Sequence, residues 1–203
     1  MFTQSEATAP TAATTLLEAL WPADQLSRLV RGAILVFVGS LALWVSAKIQ
    51  ISIRPVPITL QTLAILLIGA AYGWRLAAAT VLLYLAEGFA GLPVFAGAVA
   101  GPAYFSGPTA GFLLGFLLAV IVVGGLAEKG WDRNPATLAA ALLIGNITLY
   151  IPGLFWLQSF TGWSGVWAAG LLPFLYGDAL KLTLAVLLLS AGWEASRRWL
   201  GRG

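Results

Sequence analysis

The chain has 203 residues, 60% of them hydrophobic and only 9% charged, with a mean hydropathy of +0.90 and a net charge of +3. A soluble domain carries roughly 25% charged residues, so this composition excludes an ordinary water-soluble fold and calls for a bilayer. Cysteine and histidine are both absent, which excludes disulfides, thiolate metal sites, cysteine nucleophiles and an imidazole base.

In chain order, residues 1–27 contain neither Lys nor Arg and so lack the basic start of a secretory signal. We read 1–27 as a cytoplasmic leader in which Leu16, Leu17, Leu20 and Trp21 either form a short amphipathic turn at the membrane surface or lie in a poorly ordered tail. Residues 28–203 form the membrane domain. A helix needs roughly 20 mainly apolar residues to cross the hydrocarbon core. Charges and turn residues cut the domain into six such pieces, at about 31–47, 57–72, 76–91, 109–127, 135–160 and 166–193. The fold class is therefore an all-α integral membrane protein of six helices.

Orientation follows the distribution of Lys and Arg near span ends. With the N-terminus inside, Arg28, Arg31, Arg75, Lys129, Arg133, Arg197, Arg198 and Arg202 face the cytoplasm. Lys48 and Arg54 remain outside, and Lys181 falls within a span. Both termini are expected in the cytoplasm. Two external loops stand out. Residues 48–57 alternate apolar and polar positions around Pro55 and Pro57, which suits an extended segment. Residues 88–107 are uncharged, rich in Gly and Pro, and carry Phe95, Tyr104 and Phe105. Such a loop is expected to fold back over the bundle and cap a ligand site, because irregular backbone at membrane depth must line a cavity or be buried in protein.

The last predicted span holds Asp178 and Lys181, spaced i, i+3 on one face, just after Pro173 and Gly177. Each charge costs about 2.5–3.5 kcal/mol at a span centre, so the pair marks a substrate site or a self-neutralising structural pair. Glu87 either reaches the interface or lines the same cavity. Gln61, which with Thr59 directly follows the first external loop, either faces the cavity or hydrogen-bonds another helix, and its position after the loop favours the cavity. Asn146 and Tyr150 share one helix face, and Asn146 reads as a helix–helix contact. No P-loop, nucleophile elbow or zinc-protease motif occurs, so ATP must be hydrolysed by another polypeptide if transport is powered, and no enzyme activity or cofactor is expected.

Several runs together resemble one family. Ser46-Ala47-Lys48-Ile49-Gln50-Ile51 and Pro55-Val56-Pro57-Ile58-Thr59-Leu60-Gln61-Thr62-Leu63 come first. Leu83-Tyr84-Leu85, Gly91-Leu92-Pro93-Val94-Phe95-Ala96-Gly97 and Gly107-Pro108-Thr109-Ala110-Gly111-Phe112-Leu113-Leu114-Gly115-Phe116 follow. Gly145-Asn146, Leu172-Pro173-Phe174 and Gly177-Asp178-Ala179-Leu180-Lys181 complete the set. In this order they resemble the BioY family, the biotin-specific S components of energy-coupling-factor (ECF) transporters. The resemblance implies a site near the outer face in which Asp178 and Lys181 contact the ligand. It also implies a transmembrane coupling (T) component and two ATP-binding cassette ATPases as partners. S components carry a small-xxx-small pattern on the first helix for docking, and Ala42 with Ser46 is its nearest match here.

Biotin presents a ureido head, an apolar ring and a carboxylate tail. An ionised Asp only accepts hydrogen bonds and Lys only donates, so Asp178 suits a ureido N–H and Lys181 either the ureido carbonyl or the carboxylate. Gln61, Arg54 or Lys48 is the candidate for the other end, and Phe95 and Tyr104 for the apolar middle. Which end points inward stays open at this level, as does association of the chain with itself. Membrane lipid is an expected partner and nucleic acid is not. The competing readings are an S component for another vitamin, a membrane enzyme acting on lipid or prenyl substrates, and a structural membrane protein.

Overall fold

The structure is a computed structural model describing residues 15–21 and 25–200. Its elements are α1 (Leu16–Leu20), α2 (Gln25–Lys48), β1 (Gln50–Ile51), β2 (Ile58–Thr59), α3 (Gln61–Tyr72), α4 (Trp74–Phe89), α5 (Pro102–Phe105), α6 (Ala110–Glu128), α7 (Pro135–Gly170) and α8 (Leu175–Leu200). A 3-10 turn, Trp131–Arg133, joins α6 to α7. Among the described residues, four helical stretches are long and apolar enough to cross a membrane: Arg28–Lys48, Ala110–Glu128, Pro135–Gly170 and Leu175–Arg198. The 12 residues of α3 and 16 of α4 make shorter helices packed among them.

Chain punctuation explains the boundaries. Gly73 has φ +75°, a left-handed conformation that separates α3 from α4. Asn134 caps α7, its side chain accepting from the Ala136 N–H, and Pro135 opens that helix at a position where no N–H is needed. Gly162, with φ +70°, breaks α7 near its end. The last span differs from expectation. Residues 166–170 belong to the return at the end of α7, the chain breaks at residues 171–174 around Pro173, and α8 begins only at Leu175. Pro173 removes a donor and restricts the residue before it, which forces a new helix start. Asp178 therefore lies in the first turn of α8 rather than deep in a continuous helix.

The helices alternate in direction. One end of the bundle gathers Arg28, Arg31, Arg75, Lys129, Arg133, Arg197 and Arg198, and the other carries Lys48, Arg54 and the two irregular loops. The tightest packing joins α6 to α7. A Cβ on Gly115 would sit 2.3 Å from the Leu149 carbonyl oxygen, so only glycine permits that approach. One buried cluster, including Leu43, Tyr84, Phe95 and Phe112, underlies the loop end. A second, around Val123, Leu138 and Trp193, fills the opposite end, and α1 closes it with Leu16 and Ala19. Of residues 1–27, 16–20 form α1, which packs into the bundle rather than lying on a membrane surface, and 25–27 belong to α2; residues 1–14 and 22–24 lie outside the described residues. Large side chains such as Leu29, Ile151, Phe155 and Leu187 point outward and exposed, a surface suited to lipid rather than water.

Candidate functional site

Four helices and two loops converge at the loop end. The first loop forms a short antiparallel pair, Gln50 opposite Thr59 and Ile51 opposite Ile58, which delivers Thr59 and Gln61 to the start of α3. The second loop turns at Gly91, Gly97 and Gly101, all with positive φ, and buries Val94, Phe95 and Ala96. Gly88 makes room for it, since a Cβ there would lie 2.0 Å from the Phe95 ring. Lys48 Nζ donates to the carbonyls of Phe95 (2.7 Å) and Gly97 (3.0 Å), tying the loop to the end of α2.

Beneath the loops lies a mainly apolar cavity lined by Val56, Pro57, Thr59, Gln61, Thr62, Ala96, Tyr104, Thr109, Phe112, Leu113, Phe116, Leu149, Tyr150, Phe174 and Lys181. An outer vestibule shares Pro57, Ala96, Tyr104 and Thr109 with it and adds Gln50, Ser52 and Arg54. Polar groups collect at the inner wall. Lys181 Nζ donates to Asp178 Oδ1 (3.2 Å) and to Thr62 Oγ1 (2.9 Å). Asp178 Oδ2 accepts from the Tyr150 hydroxyl (2.5 Å) and from Asn146 Nδ2 (3.2 Å). Asp178 is 6% and Lys181 8% exposed, so the pair is desolvated and each member depends on these partners. The Asn146 Oδ1 atom is buried with no hydrogen-bond partner among the described residues.

A second chain of bonds runs from Thr59 Oγ1 to Gln61 Oε1 (3.2 Å), from Gln61 Nε2 to the Tyr84 hydroxyl (2.8 Å), and from that hydroxyl to the Val94 carbonyl (3.0 Å). It locks the start of α3 to α4 and to the second loop. Burial raises the Tyr104 phenol above its ordinary value, so it stays protonated and able to donate.

Several placements expected from the sequence need correction, for identifiable reasons. Thr59, Gln61, Tyr104 and Lys181 line the cavity, Gln61 also bonding Tyr84 of α4, and Arg54 lines only the vestibule. Asp178 stands behind Lys181 and Tyr150 and is not among the lining residues. Phe95 is fully buried behind the wall, where its ring stacks on Tyr104 with centroids 4.4 Å apart. Glu87 does not face the cavity. It accepts from the Ser40 hydroxyl of α2, because its position on α4 turns it toward that helix. Lys48 is engaged by the second loop. Asn146 makes the expected helix–helix bond, and makes it to Asp178, behind the cavity wall. The sequence did not single out Tyr150, Thr62 or the Phe112 and Phe116 pair as cavity residues. The i, i+4 spacings of the aromatic residues were visible in it, but not which way those faces turned.

Apolar helices packed around a mainly apolar cavity that opens to the vestibule, with polar groups on its inner wall, define an all-α membrane protein with a pocket suited to a small amphipathic molecule. Comparison with known proteins refines that class. The chain belongs to the BioY family, whose family model matches residues 13–198. The biotin transporter BioY of Rhodobacter capsulatus is 44% identical over 147 residues, covering 66% of this chain and 76% of that protein. The probable biotin transporter BioY of Pyrococcus horikoshii is 35% identical over 144 residues, covering 71% of this chain and 85% of its own. A crystal structure of the S-component for biotin from an ECF-type ABC transporter matches with a TM-score of 0.73 at 24% identity, over 83% of this chain and 94% of that one; the likeness speaks for the fold.

Proposed function

We propose that this chain binds biotin in the cavity between α3, α6, α7 and α8 and captures it for import as the S component of an ECF-type transporter. Family membership and the names of the relatives support the reading. The observation that carries the site assignment is the buried Lys181 ammonium on the cavity wall, held by Asp178 and Thr62 beside the Tyr150 hydroxyl. Lys181 can donate to the ureido carbonyl, and the Tyr150 hydroxyl, which itself donates to Asp178, can accept a ureido N–H. In this pose the ureido head meets Tyr150 and Lys181, and the ring system lies along Phe112, Phe116 and Tyr104. The carboxylate then extends into the vestibule toward Arg54.

The same reading places six spans across a prokaryotic cytoplasmic membrane, with 28–203 as the membrane domain and both termini inside. A T component and two ATPases provide the power, and the chain itself is no enzyme. Ala42 is exposed on α2 and remains the docking candidate, whereas Ser46 is buried and donates to the Leu43 carbonyl. Ala42→Leu is expected to impair co-purification with the partners more than biotin binding.

Biotin and biotin amide, titrated calorimetrically against purified wild type and Arg54→Gln, test the reading. Biotin is expected to lose about twofold to fivefold in affinity from Arg54→Gln, as befits an exposed ion pair, and biotin amide nothing. Equal losses for both ligands refute the orientation, and no binding of biotin by wild type refutes the function.

A further inference from the structure

At the end of the bundle away from the cavity, a groove opens between α1, α2 and α4, with Glu18, Arg28, Arg31, Tyr72, Arg75 and Glu128 among its lining residues. Three guanidinium groups there face two carboxylates. Glu128 is already committed: its Oε1 accepts the Trp74 N–H at 3.1 Å, and it is wedged against Gly73, where a Cβ would lie 2.4 Å from it. Arg31 donates from Nη1 to the Trp21 carbonyl, while its Nε is buried with no partner among the described residues. Arg75 lies over the Trp74 ring, 4.8 Å from its centroid. Neither Arg31 nor Arg75 forms an ion pair among the described residues.

We propose that this groove holds the phosphate of an anionic membrane lipid, with Arg31 and Arg75 as the anion-binding residues. A buried guanidinium N–H without an acceptor is costly, and the arginine fork matches phosphate oxygens bidentately. The groove also offers apolar wall from Leu17 and Leu76 to the start of an acyl chain. Trp21 and Trp74 stand exposed nearby, as side chains at a headgroup level do. The proposal goes beyond biotin binding and shares with it only the membrane placement.

The test uses the full chain in nanodiscs, without biotin, and measures retained phosphatidylglycerol by native mass spectrometry and protection against thermal unfolding. Phosphatidylcholine and inorganic phosphate serve as comparison ligands. Arg31→Gln combined with Arg75→Gln is expected to weaken retention of phosphatidylglycerol by at least about tenfold. Arg75→Gln alone, a surface change that leaves the fold intact, is expected to cost about fivefold. Lys129→Gln combined with Arg197→Gln removes the same charge from the same end outside the groove and is expected to cost nothing comparable. Wild-type retention in both groove variants overturns the site, and so does an equal loss in the Lys129 and Arg197 control. Equal protection by phosphatidylcholine or by inorganic phosphate overturns the anionic lipid as occupant. A biotin titration of the same samples is read separately, so failure of one assignment does not mask the other.

Discussion

Asp178 accepts three hydrogen bonds, from Lys181, Tyr150 and Asn146, yet lies behind the cavity wall. Its effect on a ligand is therefore exerted largely through the two neighbours that do line the cavity. Tyr150→Phe keeps the ring and removes only the hydroxyl. Biotin affinity is expected to fall about tenfold to a hundredfold, the cost of a hydrogen bond to a charged group. Unchanged affinity in calorimetry of the purified variant removes Tyr150 from the site. Asp178→Asn turns an acceptor into a donor and leaves the Lys181 ammonium buried without its counter-charge, so a loss at the upper end of that range is expected. The double variant Asp178→Asn with Lys181→Met separates the two readings of the pair. Full affinity in the double variant would make it structural, and persistent loss makes it part of the binding wall.

Contacts between elements decide whether the cavity keeps its roof. The ring of Phe95 occupies the space above Gly88, on α4, and is stacked on Tyr104, so the second loop is seated by one aromatic plug. Gly88→Ala would drive a methyl into that ring. Biotin binding is expected to weaken while helical content by circular dichroism stays at the wild-type level; wild-type affinity would show that the plug is dispensable. At the other end, the turn between α6 and α7 is fastened to α8. Asp132 Oδ2 accepts from Trp193 Nε1 at 2.8 Å, and the Arg133 guanidinium lies 3.7 Å from the Trp193 ring centroid. Burial raises the Asp132 carboxyl above its ordinary value, outweighing the opposing pull of Trp193 and Arg133. A raised folded-state value means that this group's contribution to stability is complete below the unfolded value. That contribution is lost as pH rises through the folded one. Asp132→Asn retains an acceptor for Trp193 and does not titrate. Its melting temperature relative to wild type is therefore expected to rise between acidic and neutral pH, and a constant difference across that range contradicts this account.

For the whole molecule, the question is which end faces which compartment. The absence of cysteine makes the answer directly measurable, because any introduced thiol is the sole one. Ser52→Cys, exposed in the first loop, is expected to react with a membrane-impermeant maleimide added to intact cells. Glu194→Cys, exposed near the end of α8, is expected to react only after lysis. The opposite pattern would invert the topology and place the cavity in the cytoplasm. Without a P-loop, the isolated chain in sealed vesicles is expected to bind biotin but not to concentrate it on addition of ATP. ATP-driven accumulation by the chain alone would contradict the subunit reading.

Composition and the placement of charge by themselves indicate an apolar helical bundle, a basic end and a pair of loops at the other end. These properties depend on how many residues of each kind lie in a row, which is a local quantity. The expectation that residues 88–107 fold back also follows from local chemistry, since that stretch has neither charge nor regular periodicity to keep it in water. The Asp178–Lys181 pair is legible because i, i+3 spacing on a helix brings two side chains together whatever surrounds them. Which way each helix face turns is set by packing between elements, and there the tertiary structure decided. It rotated Glu87 toward Ser40, moved Phe95 behind Tyr104, committed Lys48 to the loop carbonyls, and brought Asn146 and Tyr150 of α7 onto Asp178. It also started α8 at Leu175, because Pro173 ended the preceding segment and Gly162 had already broken α7. The cavity wall is made by residues from several helices and the segments between them, and no local pattern specifies which of their faces meet.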